Sequence, residues 1–161
     1  MIDEKKKINI KNEVSSRVGI NVPDLRLDRI WEKKGVVRQI TFEDLQQAFY
    51  SPGVEYMFRE GILSIDDMEV KKALGLEPED AENPVNIIIL SDDQRKRYLT
   101  AMPMHEFRQE VAKLSNEQIK MLVDYAITNE IANFDKCEFL KELTGIDIYK
   151  AIQLNRADKE D

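Results

Sequence analysis

A chain of 161 residues, 42% hydrophobic and 34% charged, is long enough to bury roughly two-thirds of the surface that it exposes when unfolded, so no metal or disulfide staple is needed. No apolar run approaches the ~18 residues of a membrane span, and the N-terminus lacks the apolar stretch of a secretory signal. One cysteine, Cys137, excludes an intramolecular disulfide framework and fits a reducing, intracellular compartment.

The net charge of −7 is unevenly spread. Residues 1–40 hold ten Lys/Arg against six Asp/Glu (+4), residues 41–93 three against thirteen (−10), and residues 94–161 eleven against twelve (−1). A mildly basic front and an acidic middle allow head-to-tail contact between copies, or a basic segment laid on an anionic partner. The same charges would also serve as a solvated surface that keeps the chain soluble.

Residues 1–23 mix Lys, Asn, Glu and Ser with isolated Val and Ile and end at Pro23. They read as a flexible or partner-ordered arm, with Lys5, Lys6, Lys7 and Lys11 as its contacts to an acidic surface. A single globular domain is expected over 24–155. It opens with a β-hairpin: L-R-L-D-R-I-W, the loop E-K-K-G, then V-V-R-Q-I. Leu25, Leu27, Val36 and Ile40 would face inward. Arg26, Arg29, Lys33, Lys34 and Arg38 would make a basic outer surface for a partner, or a charged edge that discourages strand addition.

Thr41 caps the next helix, with Glu43 and Asp44 in its first turn and Phe42, Leu45, Ala48 and Phe49 on its apolar side. Ser51 and Pro52 start another helix, which Gly61 stops. Residues 62–65 read as a third strand pairing with the hairpin, and Asp66 to Leu74 as a short helix closed by Gly75. The acidic, proline-containing segment 76–84 is expected to be an exposed loop, with a possible internal boundary at 76–85. Ile87 to Ile89 read as a short strand or extended linker.

Ser91 and Gln94 form a capping box for the next helix, and Pro103 starts one carrying Phe107, Val111 and Leu114. The clearest helix is S-N-E-Q-I-K-M-L-V-D-Y-A-I-T-N-E-I from Ser115 to Ile131. Its Ile119, Leu122, Val123, Ala126, Ile127 and Ile131 form one stripe, and Ser115 with Gln118 forms a capping box. Asp135 and Glu138 supply a further box for a helix ended by Gly145, Asp147 starts the last helix, and 156–161 fray as a C-terminal tail.

Chemistry is sparse in this pattern. One His and one Cys cannot build a zinc site, and there is no EF-hand spacing, phosphate loop or dinucleotide fingerprint. His105 could act as a base for Cys137, whose place in the first turn of a helix would lower its pKa, but the two lie 32 positions apart and Glu138 beside the thiol opposes ionisation, so they read rather as a structural or surface pair. The pairs Asp66/Asp67 and Asp92/Asp93 sit at helix starts, where the dipole already accounts for them. The last helix pair, F-L-K-E-L-T-G-I-D-I-Y-K-A-I, has the Gly-turn spacing of a helix-turn-helix, but Lys141 stands where a small residue is wanted. Only Lys150 and Arg156 would reach phosphates there, which is too few for DNA affinity.

Two strings, F-Y-S-P-G-V-E-Y-M-F-R-E-G-I-L-S-I-D-D-M-E-V-K-K-A-L-G-L-E-P-E-D and D-K-C-E-F-L-K-E-L-T-G-I-D-I-Y-K-A-I-Q-L-N-R, resemble small proteins encoded by tailed bacteriophages. They cover about a third of the chain. The resemblance implies a virion component or a factor that binds host machinery, in the host cytoplasm or the particle. The expectation is an α+β fold, predominantly α-helical, with an N-terminal hairpin and up to three short strands on several short helices. Such a chain would be a non-enzymatic interaction protein without cofactor, its partners other subunits or host proteins. The alternative is a nucleic-acid-binding or host-directed regulator using the basic hairpin or the C-terminal helix pair.

Overall fold

The computed structural model describes residues 1–160. The fold is α+β, as the sequence pattern predicts. The chain divides into two compact units, one ending at Ile88 and the other starting at Ile89, where the sequence suggests one domain with a boundary inside 76–85.

The N-terminal unit contains strands β1 (Lys7–Asn12), β2 (Val18–Val22), β3 (Leu27–Trp31), β4 (Val37–Thr41) and β5 (Leu63–Ser64), with helices α1 (Phe42–Ala48), α2 (Val54–Arg59) and α3 (Met68–Ala73). Residues 1–23 are therefore not an arm. β1 is the middle strand of a sheet ordered β4-β1-β5, and β2 pairs with β3 in a second sheet. The reason lies in the alternation K-I-N-I-K-N: Ile8, Ile10 and Asn12 point into the core while Lys7, Asn9 and Lys11 face out. Val18, Ile20 and Val22 repeat the pattern in β2. Ahead of β1, the carbonyls of Glu4 and Lys6 accept the N–H groups of Glu43 and Phe42 at 2.9 and 2.8 Å, satisfying free donors at the start of α1.

The expected 25–40 hairpin does not form. β3 runs antiparallel to β2, with Val18 opposite Trp31, and β4 runs antiparallel to β1, with Lys7 opposite Thr41 and Lys11 opposite Val37. Gly35 takes the positive φ of the E-K-K-G loop, but its N–H bonds the carbonyl of Asn12 at 2.8 Å rather than closing a hairpin. β5 likewise pairs with β1, Lys11 lying opposite Ser64. Trp31, fully buried, donates its indole N–H to the Ile10 carbonyl at 2.8 Å and so ties one sheet to the other. Asn12, also fully buried, closes the β1–β2 connection: its amide donates to the Ser16 carbonyl and accepts from the Val14 N–H, both at 2.9 Å.

The caps follow the sequence in part. Thr41 Oγ1 accepts the Asp44 N–H as expected, with Phe42, Leu45 and Ala48 buried. α2 starts at Val54 with Gly53 as its cap at φ 88°, so Ser51 and Pro52 form a turn ahead of the helix. Asp67 caps α3, its carboxylate accepting the N–H groups of Glu69 and Val70.

The loop after Leu76 is exposed only in its middle. Leu76 and Glu77 are buried, and the Glu77 carboxylate accepts the N–H groups of Val85, Asn86 and Ile87 at 2.9–3.2 Å. Burial alone would raise the Glu77 pKa, but those N–H bonds and nearby Lys71 outweigh it and hold the carboxyl below its ordinary value. The segment 85–87 is thereby part of the first unit, and residues 87–89 form no strand.

The second unit contains α4 (Asp92–Thr100), α5 (Met104–Val111), α6 (Asn116–Thr128), α7 (Phe134–Thr144) and α8 (Ile148–Glu160). α6 packs against α4, α7 and α8, and its Ile119, Leu122, Val123 and Ala126 are buried. Ser91 and Gln94 make the full capping box. Ser115 caps α6 by accepting the Gln118 N–H, while the Gln118 amide oxygen accepts the N–H of Leu90 at 3.2 Å. α7 is capped by Asn133 rather than Asp135, and Gly145 ends it at φ 75°. Asp147 accepts the Lys150 N–H at the start of α8. Residues 156–160 continue that helix instead of fraying, and Arg156 donates to Glu130 at 2.8 Å. Asp161 lies outside the described residues.

Candidate interaction surfaces

The basic residues expected to meet a partner, Arg26, Arg29, Lys33, Lys34 and Arg38, are exposed or half-buried. Arg26, at φ 52°, ends the short 3-10 turn Pro23–Leu25. Arg29 reaches from β3 to β4, its Nε donating to the Gln39 carbonyl at 3.0 Å, and its Nη1 donates to the Asp28 carbonyl at 3.0 Å. Arg38 donates to the Val37 carbonyl at 3.2 Å. Two of the five expected partner contacts are thus engaged with backbone. Lys33 and Lys34 lie exposed in the loop between β3 and β4.

Among the lysines assigned to an arm, Lys5 and Lys7 have exposed side chains. Lys6 pairs with Asp67 at 2.8 Å, and Lys11 lies 3.8 Å from Glu13. The hydrogen bond from Lys6, more than burial opposes, lowers the Asp67 pKa. The expected attraction between basic front and acidic block is thus met inside one chain, by Lys6 on Asp67. The Asp66/Asp67 pair is accounted for on its Asp67 side by this ion pair and the α3 cap.

The same unit has an open groove of about 590 Å³ between the end of α1 and α2, lined by Phe49, Tyr50, Pro52, Gly53, Tyr56 and Arg59, with Ser51, Glu55 and Glu60 at its walls. Tyr50 is 85% exposed and Tyr56 56%. Arg59 pairs with Glu55 at 2.8 Å and donates to the Gly75 carbonyl at 3.2 Å, which gives the groove a polar wall. Sequence reasoning missed this site. Both tyrosines sit in the quoted string 49–80, but a tyrosine at helical spacing reads equally well as core. A smaller hollow of about 380 Å³ is lined by Met1, Ile2, Phe42 and Ala73 with Glu4, Glu69, Glu79 and Lys72 around it.

In the second unit, burial pushes the Cys137 thiol up, and Asp147 and Glu138 push the same way. This is the reverse of the lowering expected from its helix position, and of what a nucleophile needs. His105 is exposed near the start of α5, and no hydrogen bond joins it to Cys137 among the described residues. Lys136 is the unexpected group: it is 3% exposed, its Nζ lies 5.3 Å from the Phe107 ring centre, and burial lowers its pKa. Asp92 bonds the buried Arg95 at 2.8 Å, whose Nε is without a hydrogen-bond partner.

The C-terminal helix pair has the Gly145 turn, but Lys141 lies 3.4 Å from Asp147 and Arg156 is paired with Glu130. Of the two cations expected to reach phosphates, Lys150 and Arg156, one is thus already paired with a carboxylate. Phe134, Leu143, Tyr149 and Leu154 are exposed on α7 and α8. Among the described residues no three His, Cys, Asp or Glu side chains are placed to hold a metal ion, and no helix is long and apolar enough to cross a membrane. No protein-family model matches the chain significantly, nor does any curated protein or solved structure.

Proposed function

We propose that this chain is a non-enzymatic protein–protein interaction protein, and that the tyrosine groove of the first unit is where it holds its partner. The observation that carries the reading is the pair Tyr50 and Tyr56, both exposed in the lining of one groove beside Arg59, which pairs with Glu55. Tyrosine supplies a large, stiff contact area with a polar tip. That is why it is over-represented among residues that dominate binding energy and unusual to leave exposed in pairs. The setting, a structural or assembly component of a tailed-phage particle, rests on the resemblance of the 49–80 and 135–156 strings.

The test is incorporation. In a phage carrying this gene, mass spectrometry of purified particles is expected to find the protein in the wild type. The Tyr50→Ser, Tyr56→Ser variant should be depleted about tenfold or more, the effect of about 1.4 kcal/mol or more of lost binding. Absence from wild-type particles would overturn the virion setting. Equal incorporation of a well-folded double variant would overturn the groove.

A further inference from the structure

We infer that Arg29 and Arg38 close the outer edge of β4 against strand addition, and that the strand they exclude is β4 of a second copy of this chain. This inference does not rest on the tyrosine groove. β4 pairs with β1 on one side, and among the described residues no strand is hydrogen-bonded to the other. In an antiparallel ladder, backbone groups of alternate residues point to the same side. The Val36 carbonyl accepts the Asn12 N–H across the ladder, so the carbonyls of Val37 and Gln39 point outward. Each meets a guanidinium: Arg38 on Val37 at 3.2 Å and Arg29 on Gln39 at 3.0 Å. Those are the acceptors that an added strand needs.

The run V-R-Q-I-T is otherwise suited to pairing, with three β-branched residues, Val37, Ile40 and Thr41, and Val37 is 45% exposed. The edge is the same on every copy. Antiparallel addition about a two-fold axis would set β4 on β4 as a self-complementary contact of matched length. Arg38 of the two copies would then approach each other near the middle of the new ladder, a like-charge juxtaposition that adds to the block.

The test is sedimentation velocity over a concentration series on the full chain, on Arg29→Ala/Arg38→Ala, and on that double variant with Val37→Lys added. The double variant is expected to self-associate about tenfold more tightly than the wild type, which corresponds to about 1.4 kcal/mol. Val37→Lys, a charge on the open edge, should return it to wild-type behaviour. Association equal to the wild type overturns the inference, as does association that Val37→Lys leaves intact, since the contact then lies elsewhere. Arg29 also spans β3 and β4, so if the double variant loses its native circular dichroism, Arg38→Ala alone decides. Its guanidinium donates to the neighbouring Val37 carbonyl and not across to another strand; tighter association supports the inference and wild-type association overturns it.

Discussion

Each of the two units is held together internally by its own kind of contact. In the first, the middle strand β1 meets β4 some thirty residues on and β5 more than fifty residues on. Its buried Asn12 and Glu77 are engaged with backbone, and its buried Ser64 donates to the Glu13 carboxylate. In the second, packed helices lie only one or two apart along the chain, four of the five start on a side-chain cap, and the buried polar groups are Gln118, Lys136 and Arg95, whose Nε has no hydrogen-bond partner. Non-local pairing gives the first unit cooperativity at the cost of slow closure. Local capping makes the second divisible into small increments. Breaking the first should therefore be abrupt, and altering the second graded.

The largest effect is expected from deleting residues 2–20, which removes β1 and most of β2. The first unit should unfold outright, with loss of the β contribution to circular dichroism, while the helical signal of residues 89–160 persists. A truncated chain that keeps the full transition would mean that β4 and β5 need no strand between them.

Next is Trp31→Ala, which leaves a large cavity and removes the indole hydrogen bond to the Ile10 carbonyl. It should cost about 3–5 kcal/mol in urea unfolding. Trp31→Phe keeps most of the volume and should cost about 1–3 kcal/mol for the lost hydrogen bond. Equal costs would assign the whole effect to volume.

In the second unit Gly145→Val should cost about 1–3 kcal/mol. An added Cβ meets nothing within 4 Å, so the loss is purely conformational strain at φ 75°. Gly145→Asn, which tolerates that region, should recover most of it. Smallest is Lys136→Met, expected to stabilise by less than about 1 kcal/mol, because the forfeited contact with Phe107 is itself worth about 0.5–1 kcal/mol. The folded-state pKa of Lys136 is lowered by burial, so the unfolded chain binds that proton more tightly. Between the folded pKa and the higher unfolded one, stability therefore rises with pH. Lys136→Met should flatten that rise in unfolding free energy measured across the alkaline range; an unchanged slope would place the ammonium in water.

How much of this was legible follows the same division. Thr41, Ser91, Ser115 and Gly145 are local signals, decided by one side chain and the next turn of backbone, and all four sit where the sequence puts them. Asn133 displaced Asp135 as a cap because both side chains can accept the N–H three residues on, and only packing chooses between them. β1 was readable in principle: I-N-I between lysines has period two, but two isoleucines and a buried asparagine are a faint stripe. The β3–β4 hairpin was misread because pairing depends on which distant strand covers the other side, and nothing in E-K-K-G encodes that. Of the candidate site, the basic residues were visible but not their engagement with edge carbonyls. Tyr50 and Tyr56 could not be told from core without the groove around them.

The Glu77 staple has a consequence for how the chain can be altered. Its carboxylate fixes residue 77 against 85–87, and the Asn86 amide adds a bond to the Leu76 carbonyl at 3.0 Å. Both ends of the intervening stretch are thus pinned whatever its length. Glu79, Asp80 and residues 82–84 stand exposed. Lengthening such a closed loop costs only about 0.6 kcal/mol per doubling. The acidic stretch is therefore a natural insertion point: an epitope or reporter peptide placed after Asp80 hangs from a clasp that the fold already keeps shut.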